Sequence, residues 1–432
     1  MAPSAMPTTT LSSSPPPAAQ QVAILTCLIL LAIYSQFFRS SIGVIAPNIA
    51  ADIPMPSDTL GLTSSAFFFV FAVLQIPVGI ALDRYGTRHT LTAMLFVAAI
   101  GAMVFATAST ANDLILGRFL VGFGFTGLMI GAIATLARWY PPLRFASAMA
   151  LLFACSNAGS LFATLPLAAA AEAWGWRSTF FGLAVISVFL TVAFYAVVRD
   201  APPGHPFHKE RAHDSLVEVA KGFGRALRVR NLVYVLPMIA VGYASIITVL
   251  GLWGGPFLHD VYSLDAVDRG RVLFAMASTM ILGTLAYGPL DRMCGDRRLV
   301  VMVGAAGTGA IFLLLGVVPP TSLGITAVLL GLLAFVGAYS VTVMAHGVAL
   351  FPHSLVGRGV TILHVALNGG TALLQAATGQ IMETFGSKTG VPDSSSYAAL
   401  FLFLGALTVA AVAVYGHIRE TAPAAIPVES GD

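Results

Sequence analysis

The chain has 432 residues, of which 57% are hydrophobic and only 9% are charged, and its mean hydropathy is +0.87. A soluble globular chain carries about 25% charged residues, so this chain has too little charge to cover a water-facing surface. The composition therefore predicts an integral membrane protein in contact with the lipid bilayer. Its 42 glycines favour closely packed helices over a β-barrel, and a net charge of +3 argues against a nucleic-acid-binding face.

Apolar windows long enough to cross a membrane recur along the whole chain. A bilayer core of roughly 30 Å needs about 20 apolar helical residues. Windows of this kind lie at 22–46, 61–82, 89–109, 114–137, 145–169, 178–198, 231–256, 272–290, 299–317, 323–349, 359–382 and 397–417. The tenth is long enough to be tilted or broken. The sequence therefore predicts an all-α membrane protein with twelve transmembrane helices.

Lys and Arg concentrate in alternate loops, which orients the chain because cationic loops are retained on the cytoplasmic side. If the N-terminus is cytoplasmic, 16 of the 22 basic residues lie inside, four lie outside, and Arg39 and Arg118 fall within windows. Both termini are therefore predicted to be cytoplasmic. Residues 1–21 contain no Lys or Arg, which predicts a disordered tail and not a signal peptide.

The longest polar stretch divides the windows into six and six. The expected organisation is a tail at 1–21, a six-helix bundle at 22–198, a cytoplasmic linker at 199–230, a second six-helix bundle at 231–417 and a tail at 418–432. In the linker, Leu216, Phe223 and Leu227 recur at helical spacing opposite charged residues. This pattern predicts an amphipathic helix on the membrane surface, and a flexible tether is the alternative.

One polar loop is repeated in the two halves. The first copy, GIALDRYGTR, contains Gly79, Asp83, Arg84, Gly86 and Arg88, and the second, GPLDRMCGDR, contains Asp291 and Arg292 with a shifted glycine spacing. Glycines allow a tight reversal, while Asp and Arg at a membrane edge can pair with each other and with helix ends. Such a network can hold the inner ends of the helices together in one conformation and release them in another.

The pattern G-x-x-x-D-R-x-G-x-R resembles the signature loop of the major facilitator superfamily. The stretch from Arg118 through Gly122 to Gly124 resembles that family's second motif, and Gly175-Trp176-Arg177 is a frequent partner of both. The resemblance covers the whole chain through window count, linker position and repeat. It implies two pseudo-symmetric six-helix bundles that expose one central site alternately to each side, with the signature loop biasing the two states. The fifth window lacks the Gly-Pro pair of drug–proton antiporters, which argues against multidrug efflux.

Arg39 and Arg118 are the ionic residues inside the windows, which contain no Asp, Glu or Lys. A charged side chain in a span costs several kcal/mol unless it faces a cavity or a partner, so both are candidate substrate-binding residues. They lie outward of the middle of their windows by ~7 and ~10 Å. A guanidinium suits a carboxylate, sulfonate or phosphate. In the structural alternative, Arg118 satisfies carbonyls of the first span and Arg39 reaches the outer interface.

Polar and aromatic residues near the middle of other windows complete the candidate substrate site. They are Gln36, Asn157, Tyr243, Tyr339 and Asn368, and for each a helix-packing hydrogen bond is the alternative. Trp253 is a candidate outer gate or an interfacial anchor. The phenylalanine run at 67–71 is expected to serve lipid contact and packing, because consecutive helix positions point around the axis.

No carboxylate in the windows can carry a proton, so His346 and His364 are candidate proton carriers, with packing as the alternative. An anion that brings its own titratable group, and uniport, are further alternatives. Neither the linker histidines nor the cysteines have the spacing of a metal site, so no metal or cofactor is expected. These residues are His205, His208, His213, Cys27, Cys155 and Cys294.

The sequence therefore predicts a monomeric secondary active or facilitative transporter that imports a small organic anion, with or without protons, across a bacterial inner membrane. The alternatives are an importer of a neutral aromatic nutrient such as the vitamin riboflavin, in which the arginines are structural, and a metabolite exporter. A non-transporting membrane sensor is a remote fourth hypothesis. An enzyme is not predicted, because nothing resembles a nucleophile–base pair, a phosphate loop or a bound metal.

Overall fold

The computed structural model describes residues 18–203, 216–319, 322–386 and 394–418. Throughout these residues the secondary structure is helical, and 12 helices are long and apolar enough to cross a membrane. We number them span 1 to span 12. They are Ala18–Ser40, Ser57–Tyr85, Thr87–Ala106, Ala111–Trp139, Leu143–Trp174, Trp176–Val197, Leu232–Tyr262, Ala266–Cys294, Arg297–Val317, Leu323–Ala349, Val356–Phe385 and Ser394–Tyr415. The predicted all-α, twelve-span class is confirmed.

Several spans are interrupted along their length. Span 10 consists of Leu323–Gly337 and Ser340–Ala349, as its length suggested. Span 7 widens into a π-helical turn at Val249–Trp253, which its hydropathy gave no means of predicting. After span 1 the chain continues as a short helix, Ile42–Asp52, so the first apolar segment extends beyond its predicted end at residue 46.

Glycines let the helices within each half approach closely. Span 3 packs against spans 4 and 6, and span 7 packs against spans 11 and 12. A Cβ on Gly124 of span 4 would lie 2.3 Å from the Cβ of Ala98 on span 3, so only glycine allows this crossing. Close helix contact through small residues is the main source of packing inside a bilayer, where lipid is as apolar as the helices.

The most extensive contacts between the two halves join span 2 with span 11, span 5 with span 8, and the helix Ile42–Asp52 with span 7. We call the side on which residues 18 and 418 lie the inner side and the opposite side the outer side. At the outer ends, the backbone N–H of Ser57 donates to Glu383 Oε2 at 2.9 Å, and Gln380 Nε2 donates to Asp58 Oδ2 at 3.2 Å. These bonds between span 2 and span 11 hold the outer side closed.

The Gly-Trp-Arg segment fixes the outer end of the helix Ile42–Asp52. Gly175 adopts a φ of +78°, which favours glycine, and it places Trp176 and Arg177 at the start of span 6. Trp176 Nε1 donates to Asp52 Oδ2 at 2.8 Å, and Arg177 forms an ion pair with the same carboxylate. The segment therefore anchors the helix that closes against the other half.

The linker contains the helix Leu216–Leu227, which packs against span 11. Its Gly222 faces the Arg358 guanidinium so closely that an added Cβ would lie 2.4 Å away. The three linker histidines at 205, 208 and 213, and the terminal segments 1–17 and 419–432, lie outside the described residues.

Candidate functional site

The signature loop between spans 2 and 3 is organised by a residue far away in sequence. Gly86 ends span 2 with a φ of +82°, and a Cβ there would lie 2.7 Å from Asp200 Oδ2. Asp200 Oδ1 accepts the backbone N–H of Arg88 at 2.8 Å and so caps the start of span 3. Arg88 Nε also donates to the carbonyl of Tyr195 at 3.0 Å. Sequence reasoning missed Asp200, because it follows span 6 and no spacing rule connects it to the loop.

The remaining charges of the loop lie on the same half. Asp83 is within electrostatic range of Arg138 at the end of span 4, and Arg138 donates to the backbone carbonyl of Asp200 at 3.4 Å. Arg84 lies over the ring of Tyr85, 5.5 Å from its centroid. An added Cβ on Gly79 would meet nothing within 4 Å, so its role in the loop does not come from a close contact.

The second copy of the loop forms its ion pair differently. Asp291 Oδ2 accepts from Nε of Arg297 at 3.0 Å and from NH2 at 2.8 Å, while Arg292 is exposed. Gly295 ends span 8 with a φ of +66°, as Gly86 ends span 2. The two loops thus share the glycine turn, whereas the charge network around it is specific to each half.

A polar cluster joins the two halves near the centre of the bundle. Arg39 of span 1 donates from NH1 to Asn368 Oδ1 of span 11 at 3.0 Å. The phenolic group of Tyr243 on span 7 lies beside the same guanidinium. The structure therefore brings together three of the residues singled out in the sequence, one from the N-terminal half and two from the C-terminal half.

Three phenylalanines of span 2 surround the Arg39 guanidinium. Its Cζ lies 4.8 Å from the ring centroid of Phe71, 5.2 Å from that of Phe68 and 5.7 Å from that of Phe67. Only Phe69, with 53% exposure, fits the expected lipid contact. The expectation overlooked that positions i, i+1 and i+4 of a helix fall within about 100° of arc, so one long side chain can touch all three.

Arg118 is held in a structural arrangement. It is 1% exposed, donates from NH1 to the carbonyl of Phe38 on span 1, and lies over Phe67 at 4.7 Å. Its Nε and NH2 have no hydrogen-bond partner among the described residues. Arg39 is close enough to repel it, so two cations flank one aromatic ring. This placement matches the alternative in which Arg118 satisfies a carbonyl of the first span.

The remaining candidate ligands are not joined to the Arg39 cluster by any bond among the described residues. Gln36 is half-buried on span 1, and Asn157 Nδ2 donates to the carbonyl of Phe153 at 3.2 Å within span 5. Tyr339 is fully buried, and its hydroxyl lies 3.6 Å from Met238 Sδ inside the C-terminal half. Tyr339 thus packs between spans of one half.

Trp253 and the two histidines occupy distinct places in the C-terminal half. Trp253 is buried in the closed outer region, where its Nε1 donates to Thr378 Oγ1 at 2.9 Å. His346 Nδ1 lies 2.6 Å from the Tyr415 hydroxyl. His364 Nδ1 lies 2.9 Å from the carbonyl of Val360, and its ring is within electrostatic range of Arg39. Of the two histidines, only His364 is therefore within electrostatic range of the cluster.

The cluster is closed off on its outer side. Gln36, Arg39 and Tyr243 are half-buried, whereas every residue in 40–46 and 244–258, directly outward of them, is buried. Within the described part of the chain, none of the ion pairs includes Arg39. A half-buried guanidinium that lacks a carboxylate, yet contacts both halves, is suited to fix an anionic group between them.

The sequence matches one family model and is similar to known transporters. The family model described as Major Facilitator Superfamily matches residues 28–286. The chain is 26% identical over 286 residues to a nitrate/nitrite transporter of Picosynechococcus sp., covering 57% of this chain and 52% of that protein. It is 22% identical to a probable sulfoacetate transporter of Cupriavidus necator, covering 62% and 66%. It thus spans less than two thirds of either relative.

Solved structures share the whole fold at low sequence identity. A bacterial homolog of the human lysosomal transporter Spinster, in an inward-facing and occupied conformation, superposes with a TM-score of 0.77 at 18% identity, covering 93% of this chain and 97% of that chain. A D-xylose–proton symporter superposes with a TM-score of 0.73 at 13% identity, covering 92% and 98%. At these identities the likeness establishes the fold alone.

Proposed function

Because this chain belongs to the Major Facilitator Superfamily, whose members are secondary transporters, we propose that its cargo is a small organic anion. It imports this anion across the inner membrane of a bacterium by alternating access. The proposal depends on Arg39, which is half-buried and contacts residues of the other half. None of the described carboxylates forms an ion pair with it. The names of two relatives, the nitrate/nitrite and sulfoacetate transporters, also describe anion transport.

The position of Arg39 connects anion binding to the movement of the halves. Its guanidinium belongs to span 1, while Asn368 and Tyr243 belong to spans 11 and 7. An anion bound at Arg39 therefore contacts donors from both bundles and stabilises the arrangement in which they surround it. A ligand can shift a conformational equilibrium only through such a difference in contacts between states.

A counterflow assay tests the anion site. Proteoliposomes containing the full chain are preloaded with one compound, and entry of its labelled form is followed for carboxylates, sulfonates, phosphates and a neutral flat vitamin. We expect an anion to exchange, and Arg39→Gln to reduce that exchange at least about tenfold, the equivalent of 1.4 kcal/mol. The matched control is Arg271→Gln, which removes an exposed outer arginine paired with Asp268.

Two outcomes of this assay contradict the anion proposal. In one, Arg39→Gln exchanges the true substrate as fast as the wild type. In the other, only the neutral aromatic compound exchanges. The three phenylalanines around Arg39 give that second result a structural basis, because they offer aromatic surface beside the cluster.

We further propose that protons accompany the anion and that His364 carries them. Asn368, which accepts from Arg39, donates to the His364 carbonyl at 2.9 Å, so His364 lies one helical turn inward of the Arg39 contact. An anion bound at Arg39 lies near this imidazole, and a nearby negative charge favours the protonated form. Anion binding and His364 protonation therefore promote each other, as linkage requires. His346 bonds to Tyr415 instead and is not within this range of the cluster.

An imposed pH gradient separates coupling from exchange. We expect inward protons to drive accumulation in the wild type and in His346→Gln. His364→Gln should keep counterflow, which needs no net proton movement, but lose accumulation driven by the gradient. If His364→Gln still accumulates substrate in response to pH, His364 is not the proton carrier, and the counterflow result for the anion site stands by itself.

A further inference from the structure

Among the described residues, four buried side chains on spans that meet across the two halves have polar atoms without a hydrogen-bond partner. They are Ser40 of span 1, Ser64 of span 2, Thr248 of span 7 and Gln375 of span 11, each no more than 1% exposed. Among the described residues, the hydroxyls of Ser40, Ser64 and Thr248 and both amide atoms of Gln375 make no hydrogen bond. We call this set the outer polar layer.

The outer polar layer lies directly outward of the Arg39 cluster. Ser64 precedes Phe67 by about one turn of span 2, and Gln375 follows Asn368 by about two turns of span 11. Thr248 follows Tyr243 by five residues, ~7.5 Å along span 7. The layer therefore lies between the Arg39 cluster and the hydrogen bonds that join the outer ends of spans 2 and 11.

Close backbone contacts place Gln375 and Ser40 on the interface between the halves. A Cβ on Gly61 of span 2 would lie 2.6 Å from the Gln375 carbonyl of span 11. A Cβ on Gly251 of span 7 would lie 3.7 Å from the Cα of Ser40 on span 1. Ser64 lies one turn from Gly61 on span 2, and Thr248 lies one turn from Gly251 on span 7, so each half contributes two members beside these crossings. Separation of the halves at the outer side would open these crossings to water.

A polar group that is buried without a partner raises the free energy of the state in which it is buried, whereas a hydrated one does not. Unpaired groups at an interface that opens during transport therefore destabilise the closed form relative to the open one.

We propose that the outer polar layer is the wall of the passage between the outer side and the Arg39 site, and that its unpaired groups bias the resting transporter toward opening outward. The proposal rests on the alternating access of a superfamily transporter and not on the identity of the cargo. Apolar replacement of a layer residue then removes the bias without touching the substrate cluster.

Thr248→Val and Gln375→Leu test this in the full chain. Thr371→Val is the matched control, because Thr371 is equally buried on span 11 but donates to the carbonyl of Leu367 at 2.8 Å. The native cysteines are replaced, and spin labels are placed at Thr107 and Val317, which are exposed at the outer ends of spans 3 and 9. Pulsed electron resonance in bilayer nanodiscs then reports the distance between the outer ends without any substrate.

The two layer variants should shorten the outer distance by raising the ratio of closed to open forms about fivefold or more each. Thr371→Val should leave the ratio unchanged. If both layer variants leave the distance distribution at the wild-type value, or if the control shifts it equally, the proposal is overturned. Should Gln375→Leu fail to fold, the nearly isosteric Thr248→Val and Ser64→Ala carry the same expectation. Because no cargo is present, a failed anion assay cannot produce either result.

Discussion

Arg39 is stabilised by its surroundings without being neutralised. A cation inside a span costs several kcal/mol, and a cation–π contact offsets roughly 0.5–2 kcal/mol of such a cost. Three rings of span 2 and the amide oxygen of Asn368 contact this guanidinium. None of these partners carries a negative charge, so the attraction of Arg39 for an anion remains available. A carboxylate in the same place would have made the site neutral before cargo arrived.

Asn368→Asp converts that neutral partner into a competing anion with almost no change of shape. The new carboxylate lies where an amide oxygen now accepts from Arg39 at 3.0 Å, and it forms an internal ion pair. We expect binding of the anionic substrate, measured by calorimetry, to weaken at least about tenfold. Asn112→Asp is the control, because it adds the same charge at an exposed position near the outer start of span 4. Unchanged affinity in Asn368→Asp would contradict the assignment of Arg39 as the anion-binding group.

The crossing of spans 2 and 11 determines whether the outer side can close. Gly61 lies opposite Gly379, and an added Cβ on Gly61 would lie 2.9 Å from the Gly379 Cα. Two glycines at one crossing let the backbones approach until the bonds from Ser57 to Glu383 and from Gln380 to Asp58 can form. The closed outer side is therefore a property of two facing helix surfaces and not of one gate residue.

Gly61→Val should hold this crossing apart. Because the atoms that its Cβ meets are backbone atoms, they cannot move aside as a flexible side chain would. We expect the outer ends of the halves to separate, seen as a longer distance between the labels at Thr107 and Val317. Gly182→Val is the control, since a Cβ there meets nothing within 4 Å. An unchanged distance in Gly61→Val would show that the crossing does not limit closure.

At the scale of the whole molecule, the sequence predicted the features that depend on local composition. Span number followed from hydrophobic length, since a bilayer imposes the same requirement on each helix separately. The Arg39 cluster was predicted in part, because Asn368 and Tyr243 were chosen for being polar in apolar windows. Asp200 and the phenylalanine surroundings of Arg39 were missed, because both depend on contacts between distant segments. The candidate Tyr339 shows the same limit, since its burial among spans of one half is set by helix rotation.

The signature loop should control how fast the halves rock, because it joins charges at the inner ends of spans 2, 3, 4 and 6 while lying far from Arg39. Asp83 is within electrostatic range of Arg138, and Asp200 caps span 3. Asp83→Asn removes one charge of this network with little change in shape, so we expect counterflow to slow about tenfold while substrate affinity stays at the wild-type value.

Asp268→Asn is the control for this prediction. It breaks an exposed pair with Arg271 on the outer side, and exposed pairs contribute only about 0–1 kcal/mol. Equal exchange by Asp83→Asn and wild type would remove the loop from the rate-determining movement, and a parallel loss of affinity would instead mean that its charges reach the binding site.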